Sequence, residues 1–250
     1  MHSGSASSLP TSTVTPTVVL VHGAWHGPWC WDKMLPLLAE QGLQVRTVDL
    51  PSSGPDVDAL GTLDDDVAVV TALLDEVPGP KVLVGHSYGG LPITEAAAGR
   101  DDVVHLMYVC AFMLDVGVSL LDAAGGQPMS WWQVSEDGRS ITAGRPESVF
   151  YDDCDPEETA AAVARLTPQS MSSCTTPLRA AAWSTVPSTY VVADLDPELP
   201  QAVQEMMAAG KATHVRHIDA AHSPFLSRPR ELAALITETV RAAVAEPAER

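Results

Sequence analysis

The sequence predicts an α/β protein: a mostly parallel sheet of about six strands with helices on both faces and a helical lid inserted late in the chain. Three observations lead there. Short apolar runs alternate with amphipathic stretches from residue 17 onward, one run leads straight into a Gly-rich turn, and residues 115–185 break the alternation. Strands and helices alternating at this length form right-handed crossovers, and ligands of such sheets bind beyond the C-terminal strand ends.

In order, residues 17–21 read as a buried strand, 29–41 as a helix, 43–48 as a strand, 62–76 as a helix and 81–84 as a strand. After the Gly-rich turn come a helix at 91–98 and a strand at 103–109. Strands at 189–193 and 214–218 flank a helix near 199–209, and a last helix runs over 230–245. Between them, residues 115–185 hold Gly, Pro and paired Trp residues but no clear strand, which suits a helical lid better than a structureless loop.

At 250 residues one domain is expected over residues 17–250, behind a Ser/Thr/Pro-rich flexible leader at residues 1–16. That leader lacks the cationic and apolar segments of a secretory signal, so the expected location is the cytoplasm. Hydrophobic residues at 46% and charged residues at 18% fit a soluble globular protein, and no 18-residue apolar run is present. A net charge of −18 disfavours nucleic acid and anionic membrane as partners. Cys30, Cys110, Cys154 and Cys174 are widely spaced and read as free thiols.

Cofactor signals are missing. No G-x-G-x-x-G occurs, and Gly210-Lys211 is followed by Ala212, which excludes a P-loop. His22 and His26 lie four apart in a Gly loop without a carboxylate, so neither a metal nor a cofactor is expected.

The chemistry concentrates in Gly85-His86-Ser87-Tyr88-Gly89, a G-x-S-x-G between a strand and a helix. Such a turn strains the serine backbone and pushes its hydroxyl out of the sheet. A serine hydroxyl needs a base. Of eight His residues, His222 lies on a loop after the last strand, at the sheet edge where chemistry is carried. His86 is expected to point into the turn, and His214 and His217 to face opposite sides of their strand. Asp194 and Asp196 both occupy the acid's place in the order Ser, acid, His; Asp196, deeper in its turn, is preferred. Backbone N–H groups of Tyr88 and of Ala24, in the loop His22-Gly23-Ala24-Trp25-His26-Gly27, are the expected oxyanion donors.

These residues resemble the α/β-hydrolase superfamily, more narrowly the small-hydrolase branch of plant methylesterases and hydroxynitrile lyases. The resemblance spans nearly the whole chain and rests on VLVHGAWHGPWCWDKMLPLL, DLPSSG, LVGHSYGG, YVVADLDPELP and DAAHSPFLSRP. It implies an α/β-hydrolase fold and an acid four or five residues before a Pro, which Asp196 and Pro200 satisfy. Lyases of that branch carry Thr and Lys where this chain has Gly23 and Ser223, so the resemblance favours hydrolysis over cyanohydrin cleavage.

Trp25, Phe112, Met113, Trp131, Trp132, Trp183 and Phe225 fall at expected strand ends or in the insertion and are candidates for an apolar pocket. The expected function is therefore a serine carboxylesterase that cleaves a small, largely apolar ester through an acyl-enzyme. A non-hydrolytic cyclase or lyase and a ligand-binding protein are the alternatives on the same fold. A homodimer is compatible with the sequence.

Overall fold

The computed structural model describes residues 14–245, so the expected leader falls, up to residue 13, outside the described residues. The first half runs β1 (Thr17–Val21), a 3-10 turn at Pro28–Trp31, α1 (Met34–Glu40), β2 (Val45–Val48), α2 (Leu63–Glu76), β3 (Lys81–His86), α3 (Gly90–Ala96) and β4 (Val103–Val109). Between β4 and the next long strand lie α4 (Leu120–Ala123), β5 (Trp132–Val134), β6 (Ser140–Ala143), α5 (Pro146–Phe150), α6 (Pro156–Val163), β7 (Gln169–Ser170) and α7 (Met171–Thr175). The chain closes with β8 (Ser188–Ala193), α8 (Gln201–Ala208), β9 (His214–Ile218), α9 (Pro224–Ser227) and α10 (Pro229–Ala245).

Six strands form one sheet in the order β2-β1-β3-β4-β8-β9, and every neighbouring pair is parallel. The four inner strands are predominantly apolar and almost wholly buried because both their faces are covered. Val19, Val21, Leu83, Leu106, Tyr108, Tyr190 and Val192 pack into the core beneath α2 and α3. Their alternating neighbours Val18, Leu20, Val82, Val84, Met107, Val109 and Val191 pack into a second core with Met34, Leu38, Leu232 and Ile236. Each such side chain, fully buried, contributes about 1.5–3 kcal/mol. β2 and β9 are the two edges, and four of the five residues of β9 are exposed.

Two expectations need correction. The helix expected over residues 29–41 is split, because its start folds as the 3-10 turn that sets Trp31 into the second core. The inserted segment is not purely helical: β5, β6 and β7 form a three-stranded antiparallel sheet between short helices. Its strands are two to four residues long, too short for a period-two pattern to register. This segment is stitched to the main body by backbone bonds from Thr167 N to Trp25 O (2.9 Å), Gly54 N to Pro168 O (3.1 Å) and Ser170 N to Ser52 O (2.8 Å). No helix among the described residues is long and apolar enough to cross a membrane.

β3 passes into α3 through the tight turn Ser87–Gly89, which lies directly on the end of β1. A Cβ at Gly89 would stand 2.6 Å from the carbonyl oxygens of both Val21 and His22. Neither backbone can retreat without breaking the sheet. Gly89→Ala should therefore destabilise the fold by about 1–3 kcal/mol; a denaturant midpoint equal to that of the wild type would contradict the packing described.

Candidate active site

Ser87 is held at φ +52°, in the left-handed region that a non-glycine residue adopts only under constraint. Its carbonyl accepts a hydrogen bond from Phe112 N (3.1 Å), and its side chain abuts the loop after β1, where a Cβ on Gly23 would lie 2.9 Å from Ser87 Cβ. The residue is 7% exposed.

His222 follows β9 and is 1% exposed. Its Nδ1 is 2.7 Å from Asp196 Oδ2; a carboxylate accepts, so Nδ1 carries the proton and Nε2 is the basic nitrogen. Asp196 is fixed in turn, its Oδ1 accepting Glu198 N (2.8 Å) and Leu199 N (2.9 Å). Asp194 is engaged elsewhere, 2.7 Å from Nδ1 of His217 on the exposed edge strand. The geometry thus separates the two acids that the sequence left open.

The backbone of His222 is held as well. His86 does not point idly into its turn: its Nε2–H donates to His222 O (2.7 Å), and the two rings lie 4.9 Å apart between centroids. Cys110 Sγ donates to the same carbonyl (3.4 Å), and Asp153 of the inserted segment accepts Ala221 N (3.0 Å). The loop carrying the imidazole is therefore clamped against the residue preceding Ser87.

Electrostatics distinguishes the histidines. Burial holds His22 down at about 4 and His26 at about 3, and pushes His86 well below the ordinary value, so all three stay neutral. Burial also opposes the cation of His222, but the carboxylates of Asp196 and Glu198 outweigh it and raise its pKa well above 6.5.

The loop after β1 is built from within. His26 Nδ1–H donates to Ala24 O (2.8 Å) and its Nε2 accepts from Tyr151 OH (2.8 Å). Trp25, at φ +62°, donates its N–H to Gln169 Oε1 (3.2 Å), and His26 N donates to Gly23 O (3.4 Å). Gln169 Nε2 then donates to Ser52 Oγ (2.9 Å), and Ser52 Oγ to Asp66 Oδ2 (2.5 Å). Asp66 also accepts Tyr88 OH (2.6 Å). Burial pushes this carboxyl up to about 6 against those hydrogen bonds. One buried polar chain thus joins the loop after β1, the inserted segment and the residue after Ser87.

Of the pocket candidates, Trp25, Trp131 and Trp132 form one aromatic group, with Trp25 ring centroids 5.1 Å and 5.9 Å from the other two. Phe150, which sequence reasoning missed, joins it 5.6 Å from Trp25 and 5.8 Å from His222. Phe225 packs apart from this group, on Trp31 and His86 in the second core. Phe112 is buried and gives its backbone N–H to Ser87 O, Met113 is buried with its carbonyl accepting from Lys211 Nζ (3.1 Å), and Trp183 is half-buried and donates its indole N–H to Leu114 O (2.9 Å). Ser223 is buried with Oγ unpartnered, as is Trp132 Nε1. A surface groove between α1 and α10, lined by Leu37, Glu40, Thr237 and Arg241, shares none of these residues.

Two groups of potential metal ligands exist among the described residues, His86–Cys110–His222 and Asp196–Glu198–His222. Both are centred on His222, whose Nδ1 is already paired with Asp196, and burial pushes the Cys110 thiol up to about 11, so it stays protonated. The donor sets belong to the hydrogen-bonded site itself.

The chain as a whole is similar to known proteins. The model of the alpha/beta hydrolase family matches residues 18–235. The alpha/beta hydrolase nvfD of Aspergillus novofumigatus is 30% identical over 250 residues, covering 94% of this chain and 98% of its own. A pyrethroid hydrolase from Sphingobium faniae superposes with a TM-score of 0.80 at 26% identity, over 92% of this chain and 99% of that one. A methylesterase from Arabidopsis gives 0.78 at 26% identity, over 91% and 99%.

Asp196→Asn should lower kcat/KM on the order of 10³-fold, because the imidazole loses its orienting acceptor, whereas Asp194→Asn should leave it within about twofold. Equal losses would contradict the assignment. A base must be unprotonated to act, so with its pKa raised, His222 is cationic at pH 6.5 and activity rises as pH climbs above that value. A kcat/KM profile already flat at pH 6.5 would oppose this reading.

Proposed function

The chain belongs to the alpha/beta hydrolase family, and we propose that it cleaves a small, largely apolar carboxylic ester through an acyl-enzyme on Ser87. Ester hydrolysis in general is supported by the likeness to a pyrethroid hydrolase and a methylesterase. The serine mechanism is carried by one observation: the buried Asp196–His222 pair is clamped against the strained turn that presents Ser87.

His222 Nε2 takes the Ser87 proton as Oγ attacks the ester carbonyl. The resulting oxyanion is received by the N–H groups of Ala24 and Tyr88. Within its loop, Trp25 N–H is taken by Gln169 and His26 N–H by Gly23, which favours Ala24 as the donor. Imidazolium then protonates the leaving alcohol, water enters, and His222 repeats the cycle to release the acid. Trp25, Trp131, Trp132 and Phe150 supply an apolar surround for the acyl or alcohol part. Trp132 Nε1, buried without a partner, is a donor for a polar atom of the substrate.

Hydrolysis of p-nitrophenyl esters from acetate to decanoate, compared between wild type and Ser87→Ala, tests the proposal. Turnover should vanish in the variant while its far-UV spectrum stays unchanged, with a chain-length optimum that reports the pocket. Turnover surviving Ser87→Ala would refute the serine mechanism, and no turnover across the series would refute ester hydrolysis in favour of a non-hydrolytic or ligand-binding role.

A further inference from the structure

The hydrogen bonds of the site leave one acidic side chain unexplained. Glu198, two residues after Asp196, has a side chain only 4% exposed, and its Oε2 lies 3.6 Å from His222 Nδ1. That oxygen has no hydrogen-bond partner, although a buried carboxylate without one is costly. Its backbone N–H caps Asp196, which accounts for the turn but not for the carboxyl. A purely structural acid would be expected to bond a backbone amide or a cation of its own. The cationic form of His222 can supply that interaction.

We propose that Glu198 is a positioning residue for His222: a second buried carboxylate whose charge favours the imidazolium and sets the pH above which the ring becomes a free base. The inference rests on the reading of His222 as the base. Two carboxylates then face one imidazole, Asp196 bonded at Nδ1 and Glu198 beside it. Burial pushes the Glu198 carboxyl up, with His222 opposing that rise and Asp196 adding to it. With Glu198 protonated the ring feels one negative charge; with it ionised the ring feels two. The other titratable groups around the pair are Cys110, after β4, Tyr190, on β8, and the imidazoles of His86 and His26, all held neutral by burial. A negative charge at this position strengthens the imidazolium formed as Ser87 is deprotonated, and in exchange leaves less free base at neutral pH.

The direct test is an ¹⁵N NMR titration of the His222 ring in Ser87→Ala and in Ser87→Ala/Glu198→Gln. The glutamine should lower the His222 midpoint by about one pH unit, a typical effect of an opposite charge within this distance. The acid limb of kcat/KM in Glu198→Gln should move by the same amount in the same direction. An unmoved midpoint in a folded double variant would overturn the proposal; Glu198→Ala, which also removes the charge, serves if the amide disturbs folding. Because the titration needs no turnover, an enzyme inert toward esters would refute the proposed function while leaving Glu198 decidable. Ester turnover with an unmoved midpoint would overturn the role of Glu198 alone.

Discussion

Ser87 can hold a left-handed backbone because the turn that carries it is wedged between β1 and the loop after β4. Gly89 lies under the carbonyls of Val21 and His22, Gly23 lies on Ser87 Cβ, and Phe112 N–H fastens the Ser87 carbonyl. The rest of the site takes its position from this contact. His86, fixed as the residue before the turn, reaches across to the His222 carbonyl, so the imidazole proposed as base is located relative to the serine by a hydrogen bond. Strain that would relax in an isolated peptide persists here because the surrounding sheet over-determines it.

The second constraint is electrostatic. Four imidazoles lie close together under low-dielectric cover, and they would repel if charged. His222 has two buried carboxylates beside it, whereas His22 faces only the exposed Asp49 at 3.9 Å; His22, His26 and His86 use their ring nitrogens to fix backbone groups and a tyrosine hydroxyl. One histidine is thereby left to carry a proton while three act as neutral struts.

Much of the central sheet was legible, since β1, β4 and β9 follow apolar or alternating runs with turn residues at their ends. The Ser87 turn was legible because steric demand writes small residues at fixed offsets. What escaped depends on contacts between segments far apart in the chain. Gln169 meets Trp25 across 144 residues, and nothing local marks it. Phe150 and Tyr151 escaped for the same reason, as ordinary aromatics in a segment without periodicity. Asp66 did carry a signal: it falls with Leu63, Val70 and Leu74 on the buried stripe of α2, where a carboxyl needs a reason to be. It stands third of three consecutive acids, Asp64 to Asp66, and was not singled out. The choice between Asp194 and Asp196 turned on the path of β9, which brings His217 rather than His222 to the former.

The tie between Gln169 and Trp25 bears on modularity. In enzymes built from a conserved core and a variable cover, exchanging the cover is a natural route to new substrates. Here the cover also supplies the amide that secures the loop after β1 and the carboxylate that holds the backbone just before His222. A graft of residues 115–185 from a relative would therefore transplant part of the scaffolding of the proposed reaction centre along with the proposed pocket walls, so that on this reading substrate range and catalytic geometry are inherited together.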